Sequence, residues 1–300
     1  MTQSEDRFVS GFVSILGRPN VGKSTLLNEI LGTKVAIVSD KPQTTRAALQ
    51  GVWNTPGAQV VFMDTPGIHR PDTTINKKLS QDVAGALEGR DLLLLVADCR
   101  KAPALEDERA VELLQRVKTP ALLLLNKVDL LKDKSRMLPV IEQYGKLGSF
   151  QEFFPISALT GEGLDTLKQA IVGRMPAGPR YFPGDEITDQ PERFFVSEIV
   201  REKVLRLTRQ EVPHSVMVQV ENWEESEGLL KVAAAIVVER DGQKGIIIGS
   251  KGSRLKEIGT EARLELEKIL GRKIYLELFV KVRKNWREKP DYLREIDWKT

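Results

Sequence analysis

Gly17-Arg-Pro-Asn-Val-Gly-Lys-Ser24 stands directly after the apolar run 9–16 and opens the helix-like run 25–31. A strand, then a Gly-x-x-x-x-Gly-Lys-Ser turn, then a helix is the arrangement of a phosphate-binding loop. Gly17 and Gly22 let backbone N–H groups close around phosphate oxygens at a helix N-terminus. Lys23 adds a point charge for the β- and γ-oxygens, and Ser24 offers its hydroxyl to Mg²⁺. Arg18, Pro19, Asn20 and Val21 fill the loop and Thr25 continues it. Such a loop implies an α/β domain with a doubly wound, mostly parallel sheet.

Downstream motifs extend the reading. Asp64-Thr-Pro-Gly67 follows the apolar run 60–63. Asp64 at a strand end can hold Mg²⁺ through water, and the Gly67 amide can meet a γ-phosphate, so Asp64, Thr65, Pro66 and Gly67 read as a γ-phosphate sensor. Between the two motifs lies Gln43-Thr-Thr-Arg46. A threonine there can complete the metal shell when the triphosphate is present; Thr45 is favoured, with Thr44 as the alternative. Asn126-Lys-Val-Asp129 and Ser157-Ala-Leu159 each follow an apolar run. Asp129 can accept from N1–H and the 2-amino group of guanine, donors that adenine lacks, so GTP is expected over ATP. Asn126 would tie the base loop to the phosphate loop, Lys127 would cover the ring, and the Ala158 amide would face the base oxygen.

Apolar runs near 9–16, 58–63, 92–97, 121–125 and 152–156 alternate with helical patterns up to about 174, as doubly wound domains do. Met175-Pro-Ala-Gly-Pro-Arg-Tyr-Phe-Pro-Gly184 cannot continue a helix. The expected division is 1–175 for the nucleotide domain, 176–191 for a linker and 192–300 for a second domain. The runs at 91–98 and 121–126 are far shorter than the roughly 18 residues a membrane span needs. Residues 1–7 do not resemble a signal peptide, and lone Cys99 excludes an internal disulfide.

Beyond the linker the pattern predicts a helix (192–209), strands (213–221 and 229–239), a glycine-rich turn, a helix (251–270), a strand (273–283) and a terminal helix (286–297). Ile248-Gly-Ser-Lys-Gly252 precedes the amphipathic helix. Gly249 and Gly252 permit close approach of a nucleic-acid strand, Lys251 adds charge beside Ser250, and Ile248 with its preceding isoleucines offers an apolar wall. This resembles a type II KH domain, a module that clamps single-stranded RNA. The whole chain carries a formal charge of only +3, yet 240–290 holds 14 Lys and Arg against 7 Asp and Glu. Lys281, Arg283, Lys284 and Arg287, interleaved with Trp286, read as a phosphate-contacting surface with a stacking face.

In order and spacing, these motifs resemble the translation-factor-related family of small GTPases. The phosphate loop with 43–46 is most similar to its Era branch, over nearly the whole chain. The resemblance implies hydrolysis of GTP to GDP and phosphate with Mg²⁺, K⁺ stimulation through Asn20, and binding of the 3′ end of 16S rRNA. It further implies assembly of the small (30S) ribosomal subunit, and a cytoplasmic protein in peripheral contact with the inner face of the cell membrane. A monomer is expected. Broader relatives place a water-orienting glutamine after the Gly67 equivalent; here Ile68 stands there, so slow unaided hydrolysis is expected, and His69 reads as a loop residue. The alternative is a membrane-associated regulatory GTPase whose basic C-terminal region binds anionic lipid or a protein; lipid needs no Gly-x-x-Gly turn.

Overall fold

The computed structural model describes residues 8–39, 41, 44–46, 48–68, 83, 85–208 and 216–286. Packing divides the chain into two units, Met1–Ala36 with Thr45–Asp189, and Ile37–Thr44 with Gln190–Thr300.

The first unit carries strands β1 (Val9–Leu16), β2 (Leu49–Asn54), β3 (Ala58–Asp64), β4 (Leu92–Asp98), β5 (Ala121–Asn126) and β6 (Glu152–Ile156) in one sheet of order β2-β3-β1-β4-β5-β6. Only β2 is antiparallel to its neighbour. Every residue of β4 and β5 is buried, which is why both read as unbroken leucine runs: a central parallel strand has no solvent face. The helices with described bounds include α1 (Lys23–Leu31), α2 (Leu105–Gln115), α3 (Leu138–Leu147) and α4 (Leu164–Val172). The sheet grows in opposite directions from β1, toward β3 and toward β4. The loops after β1 and β3 therefore flank a crevice at the carboxyl ends of the strands, where such sheets bind ligands.

The sequence reading holds no strand over 49–54, because Gln50, Gly51 and Asn54 interrupt the apolar pattern. It also treats 176–191 as a free linker, whereas the structure makes most of that segment a strap on the first unit. Ser10 N–H donates to the Pro176 carbonyl (2.9 Å), Gly178 N–H to Phe8 (3.2 Å) and Val52 N–H to Ile187 (2.7 Å). The Thr188 hydroxyl donates to the Gln50 carbonyl (2.7 Å). Buried Gln59 clamps the middle. Its Oε1 accepts from the amides of Tyr181 (2.7 Å) and Phe182 (3.0 Å), and its Nε2 donates to the Phe182 carbonyl (2.9 Å) and Asn54 Oδ1 (2.8 Å). The strap occupies the outer edge of β2, whose peptide groups would otherwise lack partners. The first unit thus runs to Asp189 and not to 175.

The second unit contains α5 (Glu192–Leu207), β7 (Met217–Ser226), β8 (Leu229–Val238), α6 (Asp241–Ile248), α7 (Ser253–Leu270) and β9 (Lys273–Val282). The sheet order is β7-β8-β9, with β7 antiparallel and β9 parallel to β8. A parallel step needs a crossover, which α6 and α7 supply. The sequence pattern does not predict α6, since Gly242 and Gly245 lower helix propensity in so short a segment. Ile258, Ala262 and Leu266 form the buried stripe of α7. On one face of β8, Leu230, Val232, Ala234, Ile236 and Val238 are buried; on the other, Ala235 and Val237 join Met217 around a fully buried Trp286. The expected terminal helix beyond Trp286, with Arg287, lies outside the described residues, as do His69 and Gln43.

Candidate nucleotide-binding site

The loop after β1 ends at Gly22, which caps α1 at φ 104° with no side-chain hydrogen bond. A Cβ there would stand 2.3 Å from Asn126 Nδ2, so only glycine fits. The first N–H groups of α1 are left to an anion from outside the helix. Lys23 bends back over the loop, its Nζ donating to the carbonyls of Gly17 and Arg18 (3.0 Å each). Burial pulls its ammonium down to about 8 against the pull of Asp64.

Ser24, Thr45 and Asp64 converge beside it. Ser24 Oγ donates to Asp64 Oδ2 at 2.6 Å, and Thr45 Oγ1 lies 2.9 Å from Ser24 Oγ and 3.4 Å from Asp64 Oδ2. Burial raises the Asp64 carboxyl, and Lys23, Ser24 and Thr45 oppose that rise. Asp64 Oδ1 is buried without a hydrogen-bond partner among the described residues. An under-satisfied buried carboxylate beside two hydroxyls is a hard, all-oxygen donor set that suits Mg²⁺ completed by phosphate and water. The Thr44 hydroxyl donates to the Lys41 carbonyl (2.6 Å), and its own carbonyl accepts from Arg201.

The segment after β3 is anchored, not loose. Thr65 donates through its hydroxyl (2.8 Å) and its amide (3.3 Å) to the Ile15 carbonyl, so its side chain holds the segment against β1. Pro66 and Gly67 are buried. Ile68 sits in the core cluster with Leu16 and Leu95, and its inward side chain cannot orient a water molecule.

Asn126, at the end of β5, is the hub of the base loops. Its Nδ2 donates to the Val21 carbonyl (2.7 Å) and its Oδ1 accepts from the Ala158 amide (2.8 Å). The Ala158 N–H, expected to face the base, is therefore already engaged. Asp129 is exposed, with Oδ1 held by Ser157 Oγ at 2.6 Å. Lys127 Nζ donates to the Asn20 carbonyl (2.7 Å) and pairs with Asp98 (3.3 Å). Leu159 is 76% exposed. Asp98, which sequence reasoning passed over, terminates β4. Burial alone would raise its carboxyl, but the Arg100 hydrogen bonds, with Lys127 behind them, hold it well below the usual carboxylate range. An acid ending an apolar strand was the available signal.

In the second unit, Ser250 and Lys251 are exposed in the turn between α6 and α7, with positive φ at Gly249 (72°), Lys251 (51°) and Gly252 (79°). Ile248 is half-buried, and Ile247 points into the core. Arg283 is half-buried and Lys284 exposed, whereas Lys281 pairs with Glu221 at 2.6 Å. Trp286 offers no stacking face: it is fully buried, because the odd-numbered side of β8 needs an apolar cover.

Among known proteins, residues 12–127 match the model of the 50S ribosome-binding GTPase family and 211–287 that of the KH domain. GTPase Era of Geobacter metallireducens is 50% identical over 98% of this chain and 99% of its own length; that of Geotalea uraniireducens is 50% identical over 98% and 99%. Aquifex aeolicus Era carrying one substitution and bound to GDP and AlF4⁻ superposes with a TM-score of 0.93, at 42% identity, covering 97% of this chain and 99% of that one. A structure of Era with MgGDPNP and nucleotides 1506–1542 of 16S ribosomal RNA matches with the same TM-score, identity and coverage. A P-loop domain followed by a KH domain, with half of all residues shared along nearly the full chain, makes this protein a member of the Era GTPase family, an enzyme that binds and hydrolyses GTP.

Proposed function

We propose that the chain is a GTP-controlled RNA-binding switch that holds a single-stranded segment of 16S rRNA, near its 3′ end, during assembly of the small ribosomal subunit. The observation that carries this reading is the exposed, positive-φ turn Gly249–Gly252 at the start of α7. A side-chain-poor turn between two helices, with Lys251 outward, lets a phosphodiester backbone approach where a larger residue would block it. The relative bound to MgGDPNP and an RNA fragment supports it.

In this reading the loop 17–25 and Lys23 take the phosphates, Ser24, Thr45 and Asp64 hold Mg²⁺, and Asp129 selects guanine with Lys127 over the ring. Gly67 senses the γ-phosphate. Potassium at Asn20 follows from the family resemblance, and faster hydrolysis in KCl than in NaCl tests it.

The deciding experiment measures affinity for short single-stranded RNAs, including the 16S 3′ end, with GDP or a non-hydrolysable GTP analogue bound, and Gly252→Asp as control. Tight, nucleotide-dependent binding lost in the variant is expected. No RNA binding in either state, with binding to anionic vesicles instead, overturns the reading in favour of a membrane regulator.

A further inference from the structure

Asp107 is fully buried in the first turn of α2, outside every motif that defines the nucleotide site. A carboxylate at this helix position commonly caps its own helix, and Oδ2 does accept from the Ala104 amide at 2.9 Å. A cap alone needs no burial. Here the same oxygen lies 2.8 Å from Arg18 Nε, an ion pair whose arginine side chain is only 16% exposed. Tyr144 of α3 is also fully buried, and its hydroxyl has no hydrogen-bond partner among the described residues. Burial raises the Asp107 carboxyl, and the Ala104 amide and Arg18 offset the rise.

The other end of this chain of contacts is the phosphate loop. Arg18 follows Gly17, and the carbonyls of these two residues are the ones that Lys23 grips. The Gly17 carbonyl also accepts from Ile68 N–H at 3.3 Å. Pro19 lies so close to Gly67 that a Cβ on Gly67 would meet its Cγ at 2.8 Å and its backbone nitrogen at 2.9 Å. The stretch 17–19 is therefore the seam between the phosphate loop and the segment after β3. Its remaining anchors differ: Asn20 is held by Lys127 and Val21 by Asn126.

We propose that Asp107 is a positioning residue for GTP hydrolysis, acting through Arg18 to hold the 17–19 backbone in register with both Lys23 and Gly67. Arg18 accordingly serves the loop from behind and is not a direct phosphate ligand. This rests on assigning 17–25 as the phosphate loop. Because the base loops are anchored separately, loss of the pair is felt at the γ-phosphate end, in kcat more than in GDP affinity.

The test compares steady-state hydrolysis and GDP affinity of the full chain as Asp107→Asn, Arg18→Gln, the double variant and Lys23→Ala. Asp107→Asn keeps an oxygen for the Ala104 amide, so the helix cap is retained while the charge is lost. Each single variant is expected to lower kcat by roughly tenfold or more with GDP affinity moved by less than about threefold, and the double variant to be no worse than either. Unchanged kcat in Asp107→Asn with only a lower melting temperature, or fully additive effects, overturns the proposal. Normal hydrolysis by Lys23→Ala would instead sink the loop assignment beneath it.

Discussion

Lys23 is a buried ammonium held by two carbonyl oxygens, and its lowered pKa has a definite consequence for stability. Below about pH 8 it is charged in both folded and unfolded chains, so the full cost of burying the charge is present. Between about 8 and its ordinary 10.5 the folded chain gives up the proton first, and stability of the nucleotide-free protein rises with pH across that window. Urea titrations of wild type and Lys23→Met should show the rise in the first and a flat difference in the second. A triphosphate needs the ammonium, so its binding near pH 9 should take up a proton that binding near pH 7 does not; calorimetry in two buffers of different ionisation heat measures it. Asp129→Asn should shift preference from guanosine to xanthosine triphosphate by more than about a hundredfold, read from competition binding, because the exposed carboxylate loses its match to the base donors. At this scale the polar motifs were legible, since each is a fixed string of residues. Asp98, Asp107 and the inward turn of Ile68 and Trp286 were not, because burial comes from packing between distant strands and helices.

Elements tell a different story. The buried strands β4 and β5 were readable as leucine runs, but β2 and α6 were not, the first being broken by polar residues at a sheet edge and the second carrying two glycines in eight residues. Proline and glycine spacing correctly ruled out a helix over 175–184, yet it could not say that the segment would be tied down, because the side chain doing the tying, Gln59, sits more than a hundred residues earlier. Gln59→Leu strips the Tyr181 and Phe182 amides of their acceptor and should cost about 2–4 kcal/mol, measured by urea denaturation, with faster proteolysis within 176–189. Trp286→Ala should destabilise the second unit by about 3–5 kcal/mol and lower RNA affinity only through unfolding. Lys284→Ala should leave stability unchanged while reducing the salt slope of RNA binding by about 0.7.

For the whole molecule, two units with separate sheets and cores predict two thermal transitions, one answering to nucleotide and one to RNA. MgGDP at a hundred times its Kd should raise the first by about 2.7 kcal/mol, a result scanning calorimetry can read; one merged transition shifted as a whole by either ligand would contradict separate cores. The domain order itself was visible in the change of texture near residue 175. The placement of the boundary was not, because it depends on which edge of a sheet the intervening chain covers.

That cover bears on how the protein behaves when it is cut. A chain severed after residue 175 would expose the amides and carbonyls of β2 that now bond to Ile187 and Thr188, a bare sheet margin on which a second copy could add its own strand. Such a fragment should precipitate or form fibrils on concentration, whereas one ending after Asp189 keeps its margin sealed and should stay dispersed.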